Sequence, residues 1–94
     1  MSTRQIEIRK FGKMLISRPS GKEAFAVAKA YVLVEKQPTE IVLDFAEVDV
    51  LSPSWADEFI TGIRKLYPGL KINCLNTNNE SVKATLDILS KVNQ

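Results

Sequence analysis

The stretch from Ile41 to Phe59 constrains the fold of this chain more than any other. Ile41-Val42-Leu43-Asp44-Phe45 is a short apolar run without strict alternation, which is how an interior strand covered on both faces reads. A turn carrying Glu47 and Asp49 follows, and Ser52-Pro53 then opens a helix. A serine oxygen at the cap accepts an orphan backbone N–H, and proline at the first helical position lacks an N–H that would have no partner anyway. Behind it, Trp55, Ala56, Phe59, Ile60, Ile63, Leu66 and Tyr67 recur at helical spacing and form one stripe, until Pro68-Gly69 ends the helix.

The flanking segments extend this unit. Gln5 to Phe11 alternates, with Ile6 and Ile8 on one face and Glu7 and Arg9 on the other, as a half-buried strand does. Gly12-Lys13 offers a tight turn after which Met14 to Ser17 can pair back as a hairpin. Ser20-Gly21-Lys22-Glu23 matches a capping box, predicting a helix from Gly21 to about Lys36. Phe25, Val27, Ala28, Tyr31, Val32 and Val34 give that helix a broad apolar band, and Pro38 stands just past its end. Leu70, Ile72 and Cys74 alternate with Lys71 and Asn73 in a further strand. Asn76 to Asn79 is a polar turn with Asn79 as the cap of a last amphipathic helix through Val82, Leu86, Leu89 and the neighbouring Ile88 and Val92. The order β(β)αβαβα predicts a single small α/β domain, with helices laid on a mainly parallel or mixed sheet by right-handed crossovers.

Composition narrows the function classes. The 94 residues carry a net charge of +2, but its distribution is lopsided. Met1 to Lys36 holds eight basic and three acidic residues, a net of +5, and Gln37 to Gln94 holds five and eight, a net of −3. Two such faces either steer a charged partner or satisfy each other. One cysteine, Cys74, permits no internal disulfide, and no apolar run approaches a membrane span, so a cytoplasmic protein is expected. There is no histidine, so neither a Ser-His-Asp triad nor the usual zinc sets can be assembled from this chain. Gly21-Lys22 is not a phosphate-binding loop, since Ile16 stands where the first glycine belongs and Glu23 where a Ser or Thr belongs. A nucleic-acid platform is disfavoured because the basic half offers only Phe11, Phe25 and Tyr31 as aromatics, two of them on the helix stripe. No cofactor and no metal are implied.

The candidate site residues cluster around the central unit. Asp44 lies near the carboxyl end of a strand, where open α/β sheets place their ligands. With Glu47, Asp49 or Asp57 it could hold Mg²⁺, as in response-regulator receiver domains; the alternative is a carboxylate that organises the turn by accepting backbone N–H bonds. Receivers carry an acidic pair after the first strand, where this chain has Arg18-Pro19-Ser20. Ser52 and Ser54 sit at a helix mouth, where the dipole favours an anion. Ser52 reads first as the cap, and Ser54 is the better phosphoacceptor candidate. Trp55 is either core or an interface anchor.

The string IVLDFAEVDVLSPSWADEF resembles the STAS domain, the fold of bacterial anti-anti-sigma factors, with an apolar strand, a short turn and a serine-bearing helix start in that order. More closely, Leu43-Asp44-Phe45 followed by Leu51-Ser52-Pro53-Ser54-Trp55-Ala56-Asp57-Glu58 is similar to the STAS-like family of unknown function. The resemblance implies a non-enzymatic regulatory module that binds a protein, with a GHKL-type serine kinase or ATPase as the partner class. Its contact surface would comprise Glu47, Asp49, Trp55, Asp57 and Glu58. The resemblance aligns Pro53 with the serine that anti-anti-sigma factors phosphorylate, and Ser54 comes one position later. Two further readings stay open. One is a small-molecule or nucleotide site built from Asp44 and the Ser52 to Ser54 helix start, and the other is a homodimer through uncovered strand edges.

Overall fold

The computed structural model describes residues 3–31 and 38–92, with nothing described for the side chain of residue 92. A strand β1 (Thr3–Glu7) runs into a 3₁₀ turn (Ile8–Phe11), a short strand β2 (Met14–Leu15) and a helix α1 (Arg18–Tyr31). Strand β3 (Glu40–Asp44), short strand β4 (Val50–Leu51), helix α2 (Pro53–Leu66), strand β5 (Lys71–Leu75) and helix α3 (Glu80–Val92) follow. The small α/β architecture expected from the alternation of elements is therefore present. The predicted contributions of Val32, Val34 and Lys36 to α1, and of Val92 to α3, lie outside what is described.

The main sheet has the order β1-β3-β5, all parallel, with Ile6 opposite Leu43 and Leu43 opposite Cys74. Both crossovers step in the same direction, so right-handed connections place α1 and α2 on one face. The other face is left without a helix from either crossover. This corrects the expectation that β3 is covered on both sides: Ile41 and Leu43 are fully buried, whereas Val42 and Asp44, pointing the other way, are half-exposed. That open face carries a polar ladder, in which the Glu40 carboxylate accepts from Thr3 Oγ1 at 3.3 Å and from the Asn73 side-chain amide.

The hairpin expected at Met14 to Ser17 does not form. Instead β2 pairs parallel with β4, Met14 opposite Val50 and Leu15 opposite Leu51. The Lys13 carbonyl accepts from both Asp49 N (2.9 Å) and Val50 N (3.0 Å), and the Leu15 carbonyl from Ser52 N (2.8 Å). The predicted strand from Gln5 to Phe11 is also shortened. After Glu7 the chain tightens, Ile8 stays buried, and Gly12, at φ 128°, closes the turn by donating to the Arg9 carbonyl.

Helix α1 begins three residues before the predicted start. Ser17, not Ser20, is its cap: Ser17 Oγ accepts from Ser20 N at 3.2 Å and the Ser17 carbonyl accepts from Gly21 N. Pro19 then falls in the first turn, where its missing N–H is harmless. The apolar band is also narrower than predicted, because Val27 is exposed and Tyr31 is 80% exposed. The inward face consists of Gly21, Ala24 and Ala28, with Phe25 half-buried.

Small residues there let the helices approach closely. A Cβ on Gly21 would stand 2.5 Å from the Trp55 carbonyl oxygen, and one on Gly62 would stand 2.9 Å from the Phe25 ring. Each helix thus supplies a glycine to the other's bulk.

Helix α3 is fastened to β4 rather than laid along β5. Asn79 caps it, with Oδ1 accepting from Val82 N at 3.1 Å, as the polar turn predicts. Its amide donates to the Asp49 carbonyl, Ser81 Oγ accepts from Leu51 N, and the Ser81 and Thr85 hydroxyls both donate to the Leu51 carbonyl. Side chains of α3 therefore satisfy the outer edge of β4, whose inner edge is paired to β2.

Candidate functional site at the mouth of the second helix

Helix α2 starts where four segments meet, and Ser52 is the junction. Its Oγ accepts from Trp55 N at 3.1 Å, which makes it the cap, and donates to the Ile16 carbonyl. The cap is thereby tied to the segment between β2 and α1, and Ser52 has no free donor. Ser54, in the first turn, is half-buried, and among the described residues its hydroxyl has no partner. Beside this junction Met14 and Ile16 turn outward, 65% and 51% exposed, next to the exposed Ser17 and Pro53.

Acidic residues of the same helix are matched from α1. Arg18 Nη1 donates to Asp57 Oδ2 at 3.0 Å and to Glu58 Oε2 at 2.8 Å. The Arg18 guanidinium, followed by the Thr61 hydroxyl donating to Oδ1 at 2.9 Å, holds the Asp57 carboxyl below its ordinary range. A second cluster gathers at the carboxyl end of the main sheet, where Arg9 bonds Glu47 at 2.8 Å and Glu7 at 3.2 Å. Arg9 and Arg18 come from the basic part of the sequence, and Glu47, Asp57 and Glu58 from the acidic part. The lopsided charge is thus partly neutralised within the molecule.

The five residues expected on one contact surface are not brought together. Glu47 belongs to the Arg9 cluster, and Asp57 and Glu58 to the Arg18 cluster. Asp49 is exposed, its backbone held by Lys13 and Asn79. Trp55 is core, at 1% exposure, stacked on Phe59 with ring centroids 5.1 Å apart and tilted against Phe11 at 6.1 Å. Its indole N–H has no acceptor among the described residues, so the ring contributes through packing. A helix stripe that faces the sheet claims an aromatic before a surface can.

Asp44 organises its turn. Oδ1 accepts from Ala46 N at 2.9 Å and from Asn76 Nδ2 at 2.7 Å, and Oδ2 from Gln5 Nε2 at 3.4 Å. The Asn76 amide, then the Ala46 N–H, hold its carboxyl below the usual range. Among the described residues no three carboxylate or thiol side chains are grouped to hold a metal ion. Arg18, the residue that organises the α2 mouth, is given no site role by the sequence, since its partners lie about forty positions away.

A family model described as a STAS-like domain of unknown function matches residues 29–82, more than half of the chain and all of β3, β4, α2 and β5. The chain belongs to this family. No curated protein and no solved structure matches it. The STAS-like match thus contains Ser52, Ser54, Asp57 and Glu58, and leaves out Arg18 and the β2 segment that complete their surroundings. No helix among the described residues of this STAS-like domain is long and apolar enough to cross a membrane.

Proposed function

We propose that this STAS-like domain is a non-catalytic regulatory module that binds a protein partner through the mouth of α2. One observation carries the reading. Met14 and Ile16 are exposed large apolar side chains beside the Ser52 cap, flanked by the Arg18, Asp57 and Glu58 ion pairs. An apolar centre with a charged rim is the composition of a protein contact patch. Asp44, by contrast, has its carboxylate engaged by three donors of the fold, which favours this reading over a nucleotide site built on that residue. A GHKL-type serine kinase or ATPase is the partner class that the STAS resemblance favours. Ser54, whose hydroxyl in the first turn of α2 has no partner among the described residues, is its phosphoacceptor.

The test compares the wild-type chain with Ile16→Glu and Arg18→Ala as bait, each first shown to be folded by circular dichroism. A partner retained by the wild type should be lost with Ile16→Glu and weakened with Arg18→Ala. Incubation with that partner and MgATP should yield a phosphopeptide containing Ser54. Retention of every specific partner by Ile16→Glu would place the contact surface elsewhere.

A further inference from the structure

At the far end of α2 from this patch, roughly 18 Å along the helix at 1.5 Å per residue, the core is left open. The side chains of Ile72 and Cys74 point to the helix-covered side of β5 yet remain only half-buried. The cause is the fastening of α3 to β4 by Asn79, Ser81 and Thr85, which holds α3 off β5. A crevice of about 140 Å³ results, lined by Ile60, Ile72, Cys74, Leu86 and Leu89. Arg64 and Ser90 stand at its rim, and the Ser90 hydroxyl is occupied by the Asp87 carbonyl at 2.9 Å. Arg64 makes no hydrogen bond or ion pair among the described residues, whereas Arg9 and Arg18 each bind two carboxylates. Its charge reaches the crevice, where it opposes the rise that burial imposes on the Cys74 thiol.

We infer that this crevice binds a small amphipathic carboxylic acid, its ring or short branched tail between α2, β5 and α3 and its carboxylate on Arg64. An apolar cavity of about 150 Å³ accepts a molecule the size of benzene, which sets the tail. A guanidinium beside it, with no partner among the described residues, presents a fork matched to a carboxylate, which sets the head. Among the described residues the lining offers no second cation and no carboxylate, so an amine or a phosphate-rich ligand is not matched there. The inference does not depend on the reading of the α2 mouth.

The experiment is a titration of the ¹⁵N-labelled chain with benzoate and, separately, with its uncharged counterpart benzyl alcohol. Benzoate should give saturable shifts confined to amides around Ile60, Arg64, Ile72, Cys74 and Leu86, at least tenfold tighter than benzyl alcohol. Arg64→Gln, an exposed substitution, should remove that preference and leave weak binding of both. Cys74→Met, which fills the crevice, should abolish binding of both; if it does not fold, Arg64→Gln alone decides. The inference is overturned by the absence of saturable shifts, by equal binding of both probes, or by shifts spread over Arg9, Arg18 and Lys22 instead.

Discussion

Replacing Gly21 with alanine should destabilise the domain although alanine is the better helix former. In an unobstructed helix the exchange contributes up to about 1 kcal/mol in favour of alanine. Here the new methyl would stand 2.5 Å from the Trp55 carbonyl oxygen, 2.9 Å from its Cα and 3.1 Å from its carbonyl carbon. All three atoms are backbone of α2, so no side chain can turn aside, and the helices must separate by several tenths of an ångström. Overpacking of this kind costs about 1–3 kcal/mol, occasionally more, and a gap of 0.5–1 Å forfeits about a quarter to a half of each contact along the interface. The net expectation is a loss of about 2 kcal/mol, or roughly 8–16 °C in Tm for a domain of this size. Gly62→Ala is the internal control. Its methyl would meet the half-buried Phe25 ring at 2.9–3.0 Å, a side chain that can move, so its net effect should stay within about 1 kcal/mol of zero. Urea unfolding followed by circular dichroism and by the fluorescence of Trp55, the single tryptophan, measures both. A Gly21→Ala midpoint equal to or above wild type, with an unchanged m value, would refute the close-approach argument.

Thr85, 3% exposed, donates to the Leu51 carbonyl, and Thr85→Val should cost about 1–2 kcal/mol by removing that donor; a loss below about 0.3 kcal/mol in urea would mean that Ser81 alone suffices. Asp44 has a folded pKa below its ordinary value of 3.8, so its contribution to stability is complete above that value and is lost as pH falls through the lower folded pKa. Asn76→Gly keeps the left-handed backbone at φ 56° but removes the first cause of the shift. The Asp44 carboxyl should then titrate closer to 3.8 by ¹³C NMR, and an unmoved titration would contradict the assignment. Glu47 also sits in the left-handed region, at φ 65°. Glu47 already bears the Cβ cost of that region, so Glu47→Gly should be more stable than the β-branched Glu47→Val by about 1–2 kcal/mol or more, and equal stabilities of the two in thermal unfolding would remove the strain argument.

The elements legible in the sequence are those whose signals are local. Ser52-Pro53 marks the start of α2, Pro68-Gly69 its end and Asn79 the start of α3, because each is satisfied by neighbours within a few residues. The start of α1 is read three residues late, because the Ser20-Gly21-Lys22-Glu23 pattern is a strong local signal and nothing in the sequence sets Ser17 above it. Ser17 prevails in the structure, where Gly21 lies against Trp55 and Arg18 reaches Asp57 and Glu58. A two-residue strand such as β2 has no periodicity to read, and its partner β4 lies about 36 positions away. The apolar run at Ile41 to Phe45 shows an interior strand, but the direction of strand order decides whether one face or both are covered. The ion pairs of Glu47, Asp57 and Glu58 are not legible because their counter-charges, Arg9 and Arg18, are distant in sequence and adjacent in space.

The one-way order of the main sheet also shapes how the chain can reach it. No two of its strands are joined by a hairpin. Thr3 pairs with Glu40 across 37 positions and Glu40 with Lys71 across 31. Neither pairing can form until a loop of that length has closed, so the entropy of closure is lost before the first strand contact compensates for it. Both pairings, moreover, need the same strand, since β3 is the partner of β1 on one side and of β5 on the other. A change that frays Ile41 to Asp44 therefore removes the template for the whole sheet at once, whereas fraying of β1 or β5 leaves one parallel pair able to assemble.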